Sequence, residues 1–480
     1  MSLMMRKEDG SEEKLEDYYN ANPPVKHPCN NSKKTKWWCI MSYTPYNCHE
    51  TLNYFLKMLV LPGIIAFCIV LLIIFTTGDV DNFILLTIIT SLTYTASIFI
   101  SFYIRDRILT SRHKIQEEVD KVERITPEEN NATVFHYELE LNPIKETIYK
   151  IGFVGDIMMM KKFGLRFENQ VKEFFEEDSG VNIIVGNLEG IVREPPKDPF
   201  LTKQVHPMKI LKQLNQLLEG NDIRWLLCLS NNHSIDYGNR KFHESLNLIQ
   251  EDPKIDVFGR NDVPNVFVER KNINIASASE WSNQKTWKCI SKYRTKKLNP
   301  YHDDGKFNIL YPHWNFENER YVRRRLQKRA KKLMIGDNDI KSWDLIFGHH
   351  PHVRQPVIKV RADYKKGGVL IKLWKLVAFS GGNFTSGAKL IRRKKHIHGR
   401  IMRCDIGPLK DDQDRLAVGK VKIMDTVNKE GHEIDRNGDK IEFKNVIFGL
   451  GERGIHRFWV LLIGLAIVVI VVLLRIFGIF

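Results

Sequence analysis

A series of short apolar runs between residues 146 and 425 constrains the fold more than any other feature of the sequence. Each run is nearly continuous and ends in Gly, Asn, Asp or His; the runs are IYKIGFVGD, VNIIVGNLEG, IRWLLCLSNNH, INIASASEW, FNILYPHWN, WDLIFGHHPH and KLVAFSGGNF. Runs of this length are typical of strands buried on both faces. Helix-like segments such as MKILKQLNQLLEG and ENERYVRRRLQKRAKKLM separate several of them. This alternation predicts an α/β domain with a sheet core.

Polar side chains that can bind metal follow five of these runs. They are Asp156, Asn187 with Glu189, Asn231 to His233, His313, and the trio His349, His350 and His352. One polar residue after a strand is usually only a turn or a cap, but ligands of open α/β sheets bind at the carboxyl ends of the strands. Carboxylate, imidazole and amide oxygen together suit Mn, Fe or Zn, and a bridging carboxylate can hold two ions. The sequence therefore predicts a site for one or two divalent metal ions of unknown identity.

Other catalytic motifs do not match this sequence. It contains no G-x-S-x-G elbow, and no cysteine lies in a setting that would activate its thiol. The segment GGNFTSGAK, residues 381–389, resembles a phosphate loop only superficially, because its lysine is displaced by one position and no Ser or Thr follows. We interpret it as a turn after a strand.

Three long runs without charge predict that the chain is an integral membrane protein. The runs at about 58–78 and 82–104 form a transmembrane hairpin within residues 52–104, and a third helix lies within residues 457–480. The first two runs are as long as the roughly 20 apolar residues that a membrane-spanning helix needs, and the third, from Phe458 to Leu474, can also span if Arg475 extends to the membrane interface. The first run is not a secretory signal, because a long polar segment precedes it and no small-residue cleavage site follows.

The distribution of Lys and Arg predicts which side of the membrane holds the domain. The TTGDVDN link between the first two runs has no Lys or Arg, whereas the preceding tail carries several and Arg105 and Arg107 follow the second run. By the positive-inside rule, residues 146–425 are cytoplasmic. The opposite, extracytoplasmic placement of the domain stays open as an alternative.

Three further segments complete the predicted organisation. Residues 1–51 form a polar tail, and residues 105–145 form an amphipathic stalk or linker because apolar residues recur at helical spacing up to Ile125. Residues 426–456 form a linker in which the Asn437-Gly438 pair predicts a hairpin.

The net charge of +16 is concentrated in YVRRRLQKRAKKL and LIRRKKHIHGR. These segments are either solvated faces beside an anionic membrane surface or an electrostatic funnel for a polyanion or a phosphorylated substrate. Nucleic acid is not expected as a partner, because no aromatic-interleaved basic platform or helix-turn-helix pattern occurs.

Six motifs occur in the order in which a known family carries them. FVGDIM, GNLEG, SNNHSIDYG, HWNFE, GHHPHVRQP and SGGNF resemble the poly-gamma-glutamate capsule synthesis proteins, the CapA or PgsA family, within the calcineurin-like metallophosphoesterase superfamily. The resemblance covers about Tyr149 to Thr385. It implies a metallo-dependent phosphatase-like sandwich of β-sheets flanked by helices, here joined to three transmembrane helices.

The resemblance also implies a role for each candidate residue. It makes His233 the general acid or charge stabiliser, and it assigns metal binding to Asp156, Glu189, Asn232, His313, His350 and His352. Glu189 would be the bridging or second-metal carboxylate. His350 and His352 would point to one side of an extended segment and His349 to the other. Substrate contact or support of the ligands falls to Asn187, Asn231, Asp236, His349 and Asn383.

Two departures from the family pattern affect the expected activity. Met158 stands where the superfamily has a histidine ligand, and Asn315 replaces the glycine of the family's HWG motif. The sequence does not decide whether the protein is an enzyme. It favours a metal-dependent hydrolase of a phosphoester or related anionic substrate in capsule or envelope polymer synthesis. The alternatives are a non-catalytic subunit that binds a polyanion within a polymer synthesis or export complex, and hydrolysis of the amide bonds of the polymer.

Overall fold

The computed structural model describes most of residues 122–428 and four short segments outside that range. The described residues are 4–6, 12–14, 122–126, 136–158, 165, 167–178, 180–194, 203–218, 223–270, 272–282, 288–293, 295–385, 394–428, 433–434 and 440–441. The chain divides into two units, Met1–Lys429 and Glu430–Phe480. The architecture below belongs to the first unit.

Strands dominate the described residues. In chain order they are β1 (Met4–Arg6), β2 (Glu12–Lys14), β3 (Val122–Arg124), β4 (His136–Glu140), β5 (Tyr149–Ile157), β6 (Ile183–Leu188), β7 (Ile191–Val192), β8 (Val205–His206), β9 (Arg224–Cys228), β10 (Ile255–Phe258), β11 (Asn265–Val268), β12 (Ile273–Ala276), β13 (Phe307–Leu310), β14 (Leu345–Phe347), β15 (Val357–Arg361), β16 (Tyr364–Lys366), β17 (Val369–Ile371), β18 (Trp374–Ala378), β19 (Asn383–Thr385), β20 (His398–Pro408), β21 (Leu416–Val427), β22 (Glu433–Ile434) and β23 (Lys440–Ile441). The α-helices are α1 (Asn169–Glu176), α2 (Lys209–Leu214), α3 (Asn239–Gln250) and α4 (Arg324–Ile335). Turns of 3₁₀-helix lie at Asn215–Leu218, Thr295–Tyr301 and Lys394–Ile397.

The first large sheet has the strand order β10-β9-β6-β5-β20-β21-β4, with β19 beside the end of β5. Its strands β5, β6, β9 and β10 are parallel. The long antiparallel pair β20 and β21 continues the sheet on the other side of β5. The carboxyl ends of β5, β6 and β9 therefore meet at one edge.

The second large sheet has the order β11-β12-β13-β14-β18-β15-β3. Its four central strands, β12, β13, β14 and β18, are also parallel. All seven apolar runs identified in the sequence are strands, and they lie in the parallel parts of the two sheets. The prediction of buried strands in an α/β domain is confirmed.

The two sheets pack face to face, and helices cover their outer faces. Between the sheets, the ring of Phe153 on β5 stacks on that of Phe347 on β14 at 5.3 Å. Helices α1, α2 and α3 bury residues against the first sheet, and α4 buries residues such as Leu333 against the second. Removing these apolar surfaces from water is the main source of stability. This sheet-rich, mixed α/β sandwich fits a metallophosphoesterase-like fold.

Two sequence-based boundaries need correction. The sequence predicts a helical stalk within residues 105–145, but two segments of this range are strands. β3 pairs with β15, and β4 pairs with β21. Burial of Val122 in the second sheet outweighs the helical spacing seen in the sequence. The helix expected from Glu317 begins only at Arg324, since Asn318 has a φ of 65° that a helix cannot contain.

Membrane-spanning helices are predicted only in segments that the structure does not describe. Among the helices of the described residues, none is long and apolar enough to cross a bilayer. The predicted spans at 58–78, 82–104 and 457–480 lie outside those residues. In the second unit, β22 pairs antiparallel with β23 on either side of the Asn437-Gly438 dipeptide.

Candidate metal centre

The carboxyl ends of both sets of parallel strands supply the residues of one buried cluster. From the first sheet come Asp156 in β5, Asn187 in β6, Glu189 after β6, and Asn232 and His233 after β9. From the second sheet come His313 after β13 and the histidines 349, 350 and 352 after β14. All of these side chains are buried. The structure thus brings together every metal ligand proposed from the sequence.

Asp156 lies at the centre of the cluster. Its Oδ1 accepts a hydrogen bond from Asn187 Nδ2 at 2.8 Å, and its Oδ2 lies 3.0 Å from His352 Nδ1. The backbone N–H of His350 donates to Oδ2 at 3.2 Å, and His349 Nδ1 lies 3.5 Å from Oδ1. Burial opposes ionisation, but His352 and His349 outweigh it and hold the pKa of Asp156 below its usual value. An ionised carboxylate therefore faces both histidine groups.

His313 joins the two halves of the cluster. Its Nδ1 lies 2.8 Å from His349 Nδ1, and its Nε2 lies 2.9 Å from Asn232 Oδ1. Burial, reinforced by the neighbouring histidines, lowers the pKa of His313 well below its usual value. His313 is consequently neutral at physiological pH, which is the form that binds metals.

The histidine loop after β14 departs from the expected extended geometry. His350 has a φ of 99° and His352 a φ of 57°. The segment is therefore not extended, and the alternation of side chains expected for a strand does not apply to it. His349 does not point away from the cluster, as its position in an extended segment had suggested. Its ring packs on Tyr311 at 4.5 Å and contacts His313. Non-glycine residues held at positive φ are strained, and such strain is concentrated at functional sites.

Glu189 and His233 face each other on the first-sheet side. His233 Nε2 lies 4.0 Å from Glu189 Oε1, while His233 Nδ1 donates to Asp236 Oδ2 at 2.7 Å. Burial, followed by the charge of Asp156, raises the pKa of Glu189 to about 7. Burial lowers the pKa of His233, but the hydrogen bond and charge of Asp236 outweigh it and raise the pKa overall. His233 is thus oriented with Nε2 towards the cluster and readily carries a proton.

The remaining candidates support the ligands. Asn231 Nδ2 donates to Asn187 Oδ1 at 3.0 Å and to the Leu188 carbonyl at 2.8 Å, while its own oxygen accepts from the backbone of His233 at 3.1 Å. These bonds use the polar atoms of Asn231 within the protein. Asn383 Oδ1 lies 3.1 Å from His352 Nδ1 and helps to fix that ring.

The cluster offers two sets of three ligand atoms. The inner group is Asp156, His313 and His349; the outer group is Glu317, His350 and His352. Within each group the ligand atoms lie within 4.8 Å of one another. One carboxylate and two imidazoles with further open positions are a common ligand set for Zn and Fe.

Buried polar atoms without partners test whether the cluster fits a cation. Among the described residues, Glu189 Oε1, His349 Nε2 and His350 Nδ1 have no hydrogen-bond partner. Buried polar groups are normally satisfied, so such a concentration calls for an explanation. A divalent ion bound at the cluster would supply a partner for an unpaired carboxylate oxygen or imidazole nitrogen that faces it, and the carboxylate and imidazole donors fit such an ion.

Sequence reasoning missed Glu317 as a site residue. It lies in the HWNFE motif four residues after His313, in a turn where Asn315 and Asn318 have positive φ. Because this turn reverses the chain, spacing alone does not show that Glu317 returns to His350 and His352. The available signal was that Glu317 is an acidic residue at the end of the HWNFE motif, which begins directly after a strand.

A sheet sandwich with Asp, Asn and His converging at its strand ends fits a metallophosphoesterase-like fold. Residues 150–388 match the family model described as bacterial capsule synthesis protein PGA_cap. Through this segment the chain belongs to the bacterial capsule synthesis protein family, which confirms the resemblance inferred from its motifs.

Comparisons with individual proteins give weaker likenesses. A hypothetical protein from Thermus thermophilus is 12% identical, with a TM-score of 0.30, over 58% of this chain and 98% of its own. Vps29 from Chaetomium thermophilum is 9% identical, with a TM-score of 0.20, over the same shares. Scores this low carry no argument about fold or function. No curated protein matches the chain significantly.

Proposed function

We propose that the protein is a membrane-anchored, divalent-metal-dependent hydrolase of a phosphoester or related anionic substrate, acting in capsule or cell-envelope polymer synthesis. The observation that carries the proposal is the convergence of Asp156, Asn232, His313 and the histidine loop on one buried centre containing unpartnered ligand atoms. Membership of the capsule synthesis family supports the pathway.

The residues of the centre have two roles, metal binding and proton donation. The metal would be held by residues around the centre, namely Asp156, Glu189, Asn232, His313, His350 and His352, with His349 and Glu317 as further candidate ligands. A bound divalent ion would supply Lewis-acid activation of water and of the anionic substrate. His233, held through Nδ1 by Asp236 at 2.7 Å, presents Nε2 to the centre and donates a proton to the leaving oxygen.

The test of this function measures metal and activity together. The purified full-length chain should contain bound divalent metal and hydrolyse phosphoesters, and Asp156→Ala should lose both, because Asp156 contacts His349 and His352. Asp414→Ala is the matched control, since that side chain is 91% exposed. Metal content near zero in the unmutated protein would contradict the proposal.

We also propose that three helices, at about 58–78, 82–104 and within 457–480, anchor the domain on the cytoplasmic side. The uncharged runs and the Lys and Arg flanks support this topology. Asp414→Cys places a thiol at an exposed position, with the tail cysteines 29, 39 and 48 replaced by Ser. Labelling by an impermeant reagent only after cell lysis is expected, whereas labelling of intact cells would put the domain outside.

A second candidate function is binding of an anionic polymer without catalysis. Helix α4 supports it, because its exposed side chains include Arg324, Arg325, Lys328 and Lys332 and its first turn contains no acidic residue. Polyglutamate binding that weakens with salt and survives metal removal would favour this function. Failure to bind polyglutamate at low ionic strength would eliminate it.

A further inference from the structure

A β-hairpin lies at the edge of the second sheet opposite the metal centre. It comprises β16 and β17, which pair antiparallel around the turn Gly367-Gly368. Both glycines have positive φ, 58° and 82°, as a tight two-residue turn requires. The hairpin connects the carboxyl end of β15 to the amino end of β18. The histidine loop follows the carboxyl end of β14, which is parallel to β18, so the hairpin and the centre lie at opposite edges.

The tip of this hairpin exposes apolar side chains to solvent. Val369 is 66% exposed and Leu370 is 55% exposed, more than any other large apolar side chain of the described residues. A Cβ at Gly367 or Gly368 would meet no atom within 4 Å beyond its chain neighbours, so the tip stands clear of the domain. Single exposed apolar residues are common, but two adjacent ones at a free tip form a patch suited to an interaction.

The base of the hairpin, in contrast, is fixed to the domain. Ile371 and Leu373 are buried in a small apolar cluster. The Tyr364 hydroxyl and Lys366 Nζ both donate to the carboxylate of Asp412. The exposed tip is therefore held in a defined position by a packed base.

Lysines flank the apolar tip. Lys365 lies directly opposite Leu370 in the strand register, and Lys372 follows β17; both are exposed. The acidic residue Asp414 beside the hairpin is paired with Lys366, whose Nζ lies 2.8 Å from its Oδ2. Apolar side chains flanked by lysines match the interface of a phospholipid bilayer, where apolar groups enter the acyl boundary and ammonium groups meet anionic headgroups.

The chain reaches the second sheet at the same edge. Val122, the first residue of β3, pairs with Val360 near the carboxyl end of β15, which is where the hairpin begins. In the sequence, the predicted membrane spans at 58–78 and 82–104 precede Val122. This order favours a bilayer on the side of the domain that carries the hairpin.

We propose that the tip of the β16–β17 hairpin, Val369 and Leu370, docks into the headgroup layer of the phospholipid bilayer that anchors the chain. Lys365 and Lys372 contact the lipid phosphates, and the metal centre faces away from the bilayer. This inference rests on the membrane anchorage proposed above and is independent of the hydrolase activity.

The experiment compares the surroundings of a fluorophore at the two edges of the domain. Full-length protein is assembled into nanodiscs containing phosphatidylglycerol, with cysteines 29, 39, 48 and 68 replaced by Ser; cysteines 228, 289 and 404 are buried. The fluorophore is attached to Leu370→Cys or, as the control, to Arg240→Cys. Arg240 is 84% exposed and lies in α3, which follows the carboxyl end of β9. The label at 370 should lose fluorescence to a lipid-borne quencher and little to iodide, and the label at 240 should show the reverse.

A second pair of variants tests the tip itself. With the fluorophore on Lys365→Cys, the double change Val369→Glu and Leu370→Glu should abolish quenching by the lipid-borne quencher, because carboxylates do not enter the acyl boundary. The matched exchange Val369→Leu and Leu370→Val should keep it. Both changes affect exposed side chains, so the core stays intact. Equal quenching in the two double variants overturns the inference.

The remaining outcomes separate the inference from the anchorage on which it rests. A label at 370 that iodide quenches as strongly as the label at 240 overturns the docking and leaves the anchorage standing. A label at 370 that is shielded from iodide but not quenched by lipid also overturns it, because a protein surface such as a second copy of the chain then covers the tip. Protein that does not incorporate into nanodiscs overturns both the docking and the anchorage.

Discussion

The chemistry at the residue scale depends on which atom of each histidine faces the centre. His233 is fixed by Asp236 through Nδ1, so Nε2 is the atom directed towards Glu189. His352 is fixed by Asp156 and Asn383 through Nδ1, which leaves Nε2 as its ligand atom when the ring is neutral. The partners of Nδ1 thus select Nε2 as the available nitrogen in both residues.

If His233 is the proton donor, the effect of replacing it on turnover should depend on the leaving group of the substrate. His233→Ala is expected to lower the turnover of an alkyl phosphoester by about 10²-fold or more, because a poor leaving group needs the proton. Turnover of an aryl phosphoester with an acidic phenol as leaving group should fall much less. Steady-state rates with both substrates check this. An equal loss with both would show that His233 only supports the structure.

Buried His206 should make stability depend on pH. It is 0% exposed, and burial lowers its pKa to about 4 from the ordinary 6.5. The unfolded chain therefore binds this proton first as the pH falls, so stability is fully present above pH 6.5 and is lost between there and about 4.

Replacing His206 by Gln should remove that dependence. The difference in unfolding free energy between the unmutated protein and His206→Gln should change by up to about 3 kcal/mol across this window. Denaturant titrations at several pH values measure it. A difference that stays constant with pH would mean that His206 is not neutral in the folded protein.

Sequence reasoning identified the residues of the cluster more securely than their arrangement. Asp156, His313 and the histidine loop were identifiable because each follows a buried strand. The relative places of His349 and His352 were not, because they depend on left-handed backbone conformations that residue spacing does not encode. Glu317 was missed for the same reason, since a turn with positive φ brings it back to the centre.

At the scale of elements, β5 carries Asp156, the carboxylate that contacts side chains from both sheets. Its carboxyl end runs against the turn before β19, where Asp156 N–H donates to the Gly382 carbonyl at 2.8 Å. A Cβ at Gly155 would lie 1.9 Å from that carbonyl oxygen. The close approach of two backbones therefore requires glycine at position 155.

Two glycines of β5 should respond differently to alanine. Gly155→Ala must displace the backbone at Gly382, so we expect a loss of about 1–3 kcal/mol in stability together with loss of bound metal. At Gly152 the obstacle is the Phe175 ring, at 2.7 Å, which is a side chain. Gly152→Ala should reduce stability while leaving metal content unchanged. Equal metal content in both variants would contradict this role for the turn.

The strands that sequence reasoning identified are those with a simple pattern. Parallel strands such as β6 and β13 are buried on both faces, so they read as continuous apolar runs. The antiparallel strands β20 and β21 mix charged and apolar residues, and several charges are buried in pairs such as Arg400 with Asp425. Their other neighbours in the sheet, β5 and β4, lie far away in the chain, so a local sequence pattern does not reveal these strands.

For the whole molecule, metal should act as a stabilising ligand. An ion that binds the folded centre and not the unfolded chain adds about 2.7 kcal/mol at a hundredfold excess over its dissociation constant. Mn²⁺ should therefore raise the melting temperature of the full-length protein relative to chelator, and Asp156→Ala should abolish the shift. Equal melting temperatures with Mn²⁺ and chelator for the unmutated protein would contradict this linkage.

The position of β20 beside β5 has a consequence for how the protein is made. Asp156 and His352 meet across 196 residues of chain, and β5 gains its antiparallel neighbour only when β20 has been synthesised. Contacts between residues so far apart in the chain slow folding, because the long loop between them must close first. On the ribosome, Asp156 therefore emerges well before the histidine loop, and the cluster is complete only after both have been synthesised.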